Sequence, residues 1–449
     1  MSTVVRRLAA AAILLCVPLS ALPAHAAPAG RRIWTRRYMA GPQHFDTGKA
    51  IAVSPGGGSV FVAITKGEGT SRDVEVLAYS TATGSTDWSS RFDGRAHDAD
   101  EPDSITVSHD GARVFVTGYS TVSQFSTDMV TIAYDAATGA RVWLRRLHSA
   151  APAALAVSPA DDRVFVTGVA GSGSWQTVAY RAADGTHLWS KTYAGPDGTQ
   201  DAAAAIGVAP DGTTVFVTGR ILTATESWDV ATIAYDAATG SVRWRSIYND
   251  DLNGSDTGSS LDVSPDGSTL YVAGTTWTFG GYVNRILRYD AATGAPGWTA
   301  WVFTNAYEGP MLRVTPDGSK VILAGEPDPS DYAAWAFDAP TGQLLWTSTY
   351  DGPAGGNDAA DAMALSGDGS RVYLTGVVAA PAPSYGEYAT VGLDTATGAR
   401  DWARLYDGPE VGSDVATGIA VSPTGSGVFV TGESPGPVDR SATTIAYQR

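Results

Sequence analysis

The sequence predicts an all-β protein, an eight-bladed β-propeller with four antiparallel strands per blade, on three observations. Eight tryptophans, Trp34, Trp88, Trp143, Trp189, Trp244, Trp298, Trp346 and Trp402, recur at intervals of 54, 55, 46, 55, 54, 48 and 56 residues. A period of that length marks a repeat architecture. A short β-branched and aromatic segment recurs eight times, as Val60-Phe61-Val62, Val114-Phe115-Val116, Val164-Phe165-Val166, Val215-Phe216-Val217, Leu270-Tyr271-Val272, Val321-Ile322-Leu323, Val372-Tyr373-Leu374 and Val428-Phe429-Val430. Each repeat also carries four strand signals punctuated by turns, and helical periodicity is absent after the leader.

Residues 1–26 stand apart from the repeats. Arg6 and Arg7 precede an apolar run over residues 8–22, and Ala24-His25-Ala26 supplies small residues at a cleavage point. This is the pattern of a secretory signal peptide cut after Ala26, by the general or the twin-arginine route. The run is short for a membrane span, contains Pro18 and is followed by Pro23. The single cysteine, Cys16, lies inside it. The mature chain, residues 27–449, is therefore expected to be one exported, monomeric propeller domain without disulfides or a membrane span. Without Arg6 and Arg7 it holds 30 − 2 = 28 basic against 46 acidic residues, a net charge of −18. That balance excludes nucleic acid as a partner, because phosphates need basic patches.

Residues 201–244 show the unit. Residues 204–208 form a first strand, Pro210-Asp211-Gly212 a tight turn, Val215-Phe216-Val217 a second strand, residues 230–235 a third and residues 241–248 a fourth. The last repeat ends at Arg449, after its third strand, with no tryptophan. The missing strand, residues 32–38 with Trp34, sits at the other end of the mature chain. It is expected to pair beside residues 442–448 and close the ring, which removes an open sheet edge.

Ala133-Tyr134-Asp135-Ala136-Ala137-Thr138-Gly139-Ala140-Arg141-Val142-Trp143 fits the pattern A-x-D-x-x-T-G-x-x-x-W, as do residues 234–244. Residues 290–298 place the Trp one residue early, and residues 183–189 have Asp-Gly for Thr-Gly. The pattern resembles the tryptophan-docking motif of PQQ-type, quinoprotein-like eight-bladed propellers, over the whole mature chain. The resemblance implies that each of the eight tryptophans packs between neighbouring blades, where burying an indole is worth about 2–3 kcal/mol. Quinoprotein dehydrogenases of that kind hold PQQ beneath adjacent disulfide-bonded cysteines, beside calcium. This chain lacks those cysteines and the long insertions, so the resemblance carries the fold and not the PQQ chemistry.

Propeller geometry puts the short Pro-Asp-Gly and Thr-Gly turns on one face. The variable loops between strands two and three, and those joining blades, lie on the other, where function is expected. Six blades carry an Asp nine residues before the first-turn Pro position: Asp46, Asp100, Asp201, Asp256, Asp358 and Asp414. These are candidates for a ring that binds a cation or a basic group, or for carboxylates that brace their own loops through backbone N–H groups. Ala150 and Tyr307 replace the Asp in blades three and six, where the variable loops, residues 169–174 and 326–330, are also short. These two notches are where a ligand is expected.

His44, His97 and His148 lie in three consecutive inter-blade loops and are the candidate metal or acid–base set. Asp98, Asp100, Glu101 and Asp103, and Asn249, Asp250, Asp251, Asn253 and Asp256, offer oxygen ligands of the kind calcium takes, without EF-hand spacing. Gly432-Glu433-Ser434-Pro435-Gly436 matches G-x-S-x-G but sits between propeller strands, not on a strand-to-helix elbow. Trp175, Trp228, Trp277, Trp301 and Trp335 lie outside the docking motif, and Trp228 and Trp277 fall beside variable loops, suited to stack on a sugar or peptide or to pack.

No cofactor follows from the residues; calcium fits the acidic loops and PQQ does not fit the cysteine content. The sequence favours an exported non-catalytic scaffold that binds a protein, a glycan or a cell-wall component through the variable-loop face. The alternative is an enzyme on that face, either a PQQ-dependent dehydrogenase or a metal- or His-dependent lyase or hydrolase.

Overall fold

The structure is a computed structural model. It describes residues 29–449 except 42–43, 69–70, 125, 172, 197, 199, 224–226, 251–253, 279, 305–308, 328–330, 382–384, 426 and 437–438. The leader with its cleavage point, and Tyr307, Asp251 and Asn253, lie outside the described residues. Eight four-stranded antiparallel sheets form among the described residues, seven of them taken up in sequence order from the innermost strand outwards and the eighth completed by the first strand. Blade four, for example, consists of Ala202–Val208, Thr214–Leu222, Trp228–Asp236 and Val242–Tyr248. The innermost strands touch in sequence round the ring, from Thr47–Val53 of blade one to Val415–Val421 of blade eight, which in turn meets blade one.

Each blade is covered on both sides, so its second and third strands are buried on both faces. That explains their near-continuous apolar sequence where a one-sided sheet would alternate. Blade eight is closed by Arg32–Tyr38, which pairs antiparallel with Arg440–Tyr447 from Arg32 opposite Tyr447 to Tyr38 opposite Ala442. The two ends of the described chain thus share one sheet.

The eight repeat tryptophans sit at the blade junctions. Trp34, Trp88, Trp143, Trp189, Trp244 and Trp402 are 9% exposed or less, and Trp298 and Trp346 are half-buried. Seven of the indoles pack on an aromatic of their own blade's second strand or the next blade's third strand, as Trp189 does on Phe165 and Tyr235 at 5.8 and 6.1 Å, while Trp346 packs against the buried cluster that includes Ile322 and Leu393. The indole N–H reaches across the junction to a turn carbonyl of the next blade, Trp189 to Ala237 at 3.0 Å and Trp34 to Thr81 at 2.8 Å. The last of these bonds joins blade eight to blade one.

The turn glycine of the docking pattern serves this contact as well as its own φ. Gly240 has φ +70°, and a Cβ there would meet Trp189 Cδ2 and Cε3 at 2.7 Å. In blade eight the part falls to Gly30, before the first strand. It has φ +72°, its N–H bonds Gln448 O at 2.8 Å, and a Cβ would meet Trp402 Cδ2 at 2.7 Å. One turn is therefore assembled from both ends of the chain.

Candidate functional site

The six repeated aspartates are buried to 1% exposure or less and bond their own loops. In each, one carboxylate oxygen accepts the N–H of the residue six positions earlier: Ala40 for Asp46, Gly94 for Asp100, Gly195 for Asp201, Asp250 for Asp256, Gly352 for Asp358 and Gly408 for Asp414. In three, the other oxygen accepts an N–H from the end of the second strand of its own blade: Gly67 at 3.3 Å, Leu222 at 2.8 Å and Ala379 at 2.8 Å. In Asp100, Asp256 and Asp414 the second oxygen is buried without a hydrogen-bond partner, with the hydroxyls of Ser120, Thr276 and Ser434 nearby. Asp46, Asp201 and Asp358 thus tie the incoming inter-blade loop to the end of the second strand, and the other three fix the incoming loop alone. Burial pushes the pKa of Asp256 up to about 6, against the bond from the Asp250 N–H.

The three histidines do not converge on one ion. His97 Nδ1 pairs with Asp93 at 2.9 Å, and His148 Nδ1 with the buried Asp128 at 3.0 Å. Among the described residues, no group of three potential ligands within reach of one metal includes a histidine. In the acidic segment after His97, Glu101 is ion-paired to Arg72 and to Lys49 at 3.4 Å, and Asp98 bonds the N–H of Ala99 at 2.8 Å. The acidic atoms that do cluster are Asp73, Asp93 and Asp100, and Asp331, Asp351 and Asp358. Both groups take one residue from the head of a third strand, one from just after the outermost strand and the brace aspartate of the next blade. They are spread over 28 residues of sequence, which hid them from a reading by local spacing. Arg91 lies 2.5 Å from Asp73 in the first group.

Among the described residues, two cavities open on the variable-loop face, one at the notch of blade three and one between blades four and five. The larger, about 720 Å³, occupies the notch of blade three. It is walled by Ala150, by the short loop around Gly171 and by the two-residue connection His148-Ser149, which elsewhere runs to six to eight residues, as in 93–99. Ser149 holds φ +52°, a left-handed conformation that costs a non-glycine residue free energy. The His148–Asp128 pair stands on this cavity's wall. The second cavity, about 620 Å³, lies between blades four and five and is lined by Tyr248, Asn249, Arg285, Thr299, Trp301 and Phe303, among others. Trp301 and Phe303 are 51% and 61% exposed.

Of the other tryptophans outside the docking pattern, Trp175 and Trp335 are core residues at 0% and 5% exposure. Trp228 lies under the Arg220 guanidinium at 4.4 Å, and Trp277 is 45% exposed on the rim of blade five. Ser434 is fully buried in the second strand of blade eight, where no substrate reaches its hydroxyl.

The family described as outer membrane protein assembly factor BamB matches residues 20–233 and 229–434. A search of curated proteins finds no match. Among solved structures, Sqt1 of Chaetomium thermophilum superposes with a TM-score of 0.62 at 14% identity, covering 93% of this chain and 98% of that one. The same protein bound to the N-terminus of a ribosomal protein gives 0.61 at 14% identity, covering 92% and 98%. The Dos1 propeller gives 0.60 at 12% identity, covering 93% and 95%. At these identities the likeness is one of fold.

Proposed function

The chain belongs to the outer membrane protein assembly factor BamB family of PQQ-like propeller repeat proteins, and from that premise we propose that it is an exported, non-catalytic scaffold that binds its partner through the variable-loop face. The observation that carries this reading is the placement of the two loop-face cavities. Both fall where one blade differs from the other seven, by a shortened connection in blade three and by aromatics at two variable positions in blade five. A scaffold needs only its repeated residues, so residues that break the repeat and line a cavity point to a ligand. A propeller of similar fold has been solved holding the N-terminus of another protein, which is consistent with this architecture carrying a binding surface.

The test uses the absence of cysteine from residues 27–449. Single cysteines at Ser149 or Thr299 on the loop face, and at Gly58 or Thr83 on the turn face, carry a photoactivatable crosslinker. Crosslinks to a partner from the loop face alone support the reading, and crosslinks from the turn face alone refute it. The secreted protein is expected to begin at Ala27 by mass.

A second reading rests on the His148–Asp128 pair. A histidine oriented by a buried carboxylate beside a cavity has the arrangement of a general base. Turnover of any ester, amide or glycoside substrate that His148→Ala abolishes, while the fold persists, would establish it in place of the scaffold reading.

A further inference from the structure

Blade five alone carries aromatics at two positions of its outermost strand that vary from blade to blade. Three and five residues after the docking tryptophan stand Arg91 and Asp93 in blade one, Arg146 and His148 in blade two, Thr349 and Asp351 in blade six, but Trp301 and Phe303 in blade five. Both rings project from the same face of Pro296–Thr304 into the space beside blade four, and they hold each other edge to face at 5.0 Å. Exposed aromatic surface of this size in a cavity marks a binding site more often than chance.

The rest of the cavity says what chemistry it takes. Arg285 is half-buried opposite Trp301, with its Nε donating to Thr276 Oγ1 at 3.2 Å and its guanidinium 5.4 Å from the Tyr248 ring. Among the described residues no carboxylate lies within ion-pair distance of it and its terminal nitrogens bond nothing, so oriented donors face the cavity. The Thr299 hydroxyl and the Asn249 carboxamide add short, planar or hydroxylic groups round the rings. An apolar platform rimmed by such groups is complementary to a flat ring with C–H faces and a girdle of hydroxyls.

A protein strand fits less well. The free backbone groups of the outermost strand lie in the plane of its sheet, whereas the aromatics stand on its face, so a strand added at the edge would not enter the cavity. A nucleic acid is opposed by the net charge of −16.

We propose that the cleft between blades four and five binds a carbohydrate chain, stacking a pyranose ring on Trp301 and Phe303 while Arg285, Thr299 and Asn249 bond its hydroxyls. This rests on the reading of the loop face as a binding surface and gives that surface a ligand class. The test is affinity electrophoresis and calorimetry of the full mature chain with a panel of cello-, xylo-, manno- and chito-hexaose and oligogalacturonate. Binding of at least one member is expected, weakened about tenfold or more by Trp301→Ala and by Arg285→Ala.

Trp277→Ala, an exposed tryptophan outside the cleft, should leave it unchanged. Trp301 and Phe303 are half-exposed or more, so their variants are expected to keep the parent melting temperature, which calorimetry checks. No binding across the panel, binding that survives Trp301→Ala, or a peptide bound in the cleft where sugars are not, overturns the proposal. If the glycans fail while loop-face crosslinks to another partner persist in Trp301→Ala, the carbohydrate proposal falls and the scaffold reading stands. If those crosslinks also fail, both fall.

Discussion

Replacing Gly240 with alanine tests whether the docking turn and the docking indole are one device. Two costs add. Alanine at φ +70° adopts a left-handed conformation at about 1–2 kcal/mol. Its Cβ would then lie 2.7 Å from two carbons of the Trp189 ring and 2.9 Å from Lys191 Cε. The indole must retreat, which strains its 3.0 Å bond to Ala237 O and loosens its packing on Phe165 and Tyr235, for about another 1–2 kcal/mol. The sum is about 2–4 kcal/mol. Gly58→Ala is the matched control, because nothing lies within 4 Å of a Cβ there and its φ is not left-handed. It should be neutral or stabilise by up to about 1 kcal/mol through the unfolded chain. Urea unfolding followed by tryptophan fluorescence reads both. A loss below about 0.5 kcal/mol at Gly240, or equal effects at the two glycines, would refute the coupling of turn to indole.

Gly30→Ala should cost as much as Gly240→Ala, although Gly30 precedes the first strand, because it meets Trp402 at 2.7 Å in the same way; an unchanged urea midpoint would remove it from the blade-eight turn. Trp34→Ala should cost about 3–5 kcal/mol, and because it loosens the closing strand, light scattering should also show association through the exposed edge. Asp201→Ala leaves the N–H groups of Gly195 and Leu222 without their acceptor and should cost about 2 kcal/mol or more, with faster amide exchange at both positions. The folded chain is expected to be more stable at pH 5 than at pH 7.5. Asp256 titrates at about 6 when folded against 3.8 as a free side chain, so the folded state keeps a proton that the unfolded state releases, and stability falls as pH rises between those values. The turn aspartates Asp236 and Asp317 are pulled down to about 2, chiefly by hydroxyl and guanidinium bonds, so their stabilisation is lost only below about pH 4. Asp103, which burial pushes up to about 7, adds to the same fall, so a melting temperature that climbs steadily from pH 5 to pH 7.5 contradicts this balance, and Asp256→Asn should reduce the fall without abolishing it.

The tryptophan period and the orphan strand at residues 32–38 were enough to read the closed eight-bladed ring from the sequence, because both follow from covalent order: a repeat that lacks its last strand must borrow one. The notch at blade three was legible for the same reason, since a missing Asp and a short loop are deletions that any alignment of repeats shows. What the sequence did not reveal depends on geometry across the period. Gly30 carries no motif around it, yet it completes a turn begun at Gln448. The second bond of the braces at Asp46, Asp201 and Asp358 comes from a backbone N–H twenty-one residues on, and a backbone donor has no residue signature. Trp301 stood out only as a tryptophan outside the pattern; its meaning came from Arg285 and Tyr248, which belong to another strand and another blade.

The brace and the cleft are linked by the same junction. Asp256 fixes the loop that carries Asn249 and Asp250 by accepting the Asp250 N–H at 3.0 Å, and Asp250 in turn accepts the Gly254 N–H at 3.1 Å. That loop is one wall of the aromatic cleft. Arg285, on the opposite wall, lies close enough to favour the ionised form of Asp256. A repeated structural carboxylate therefore holds one side of a site that is not repeated. It follows that Asp256→Asn should weaken a cleft ligand without touching it, while Asp358→Asn, the same brace two blades away, should not. Equal effects of the two substitutions would mean that the braces act on global stability alone.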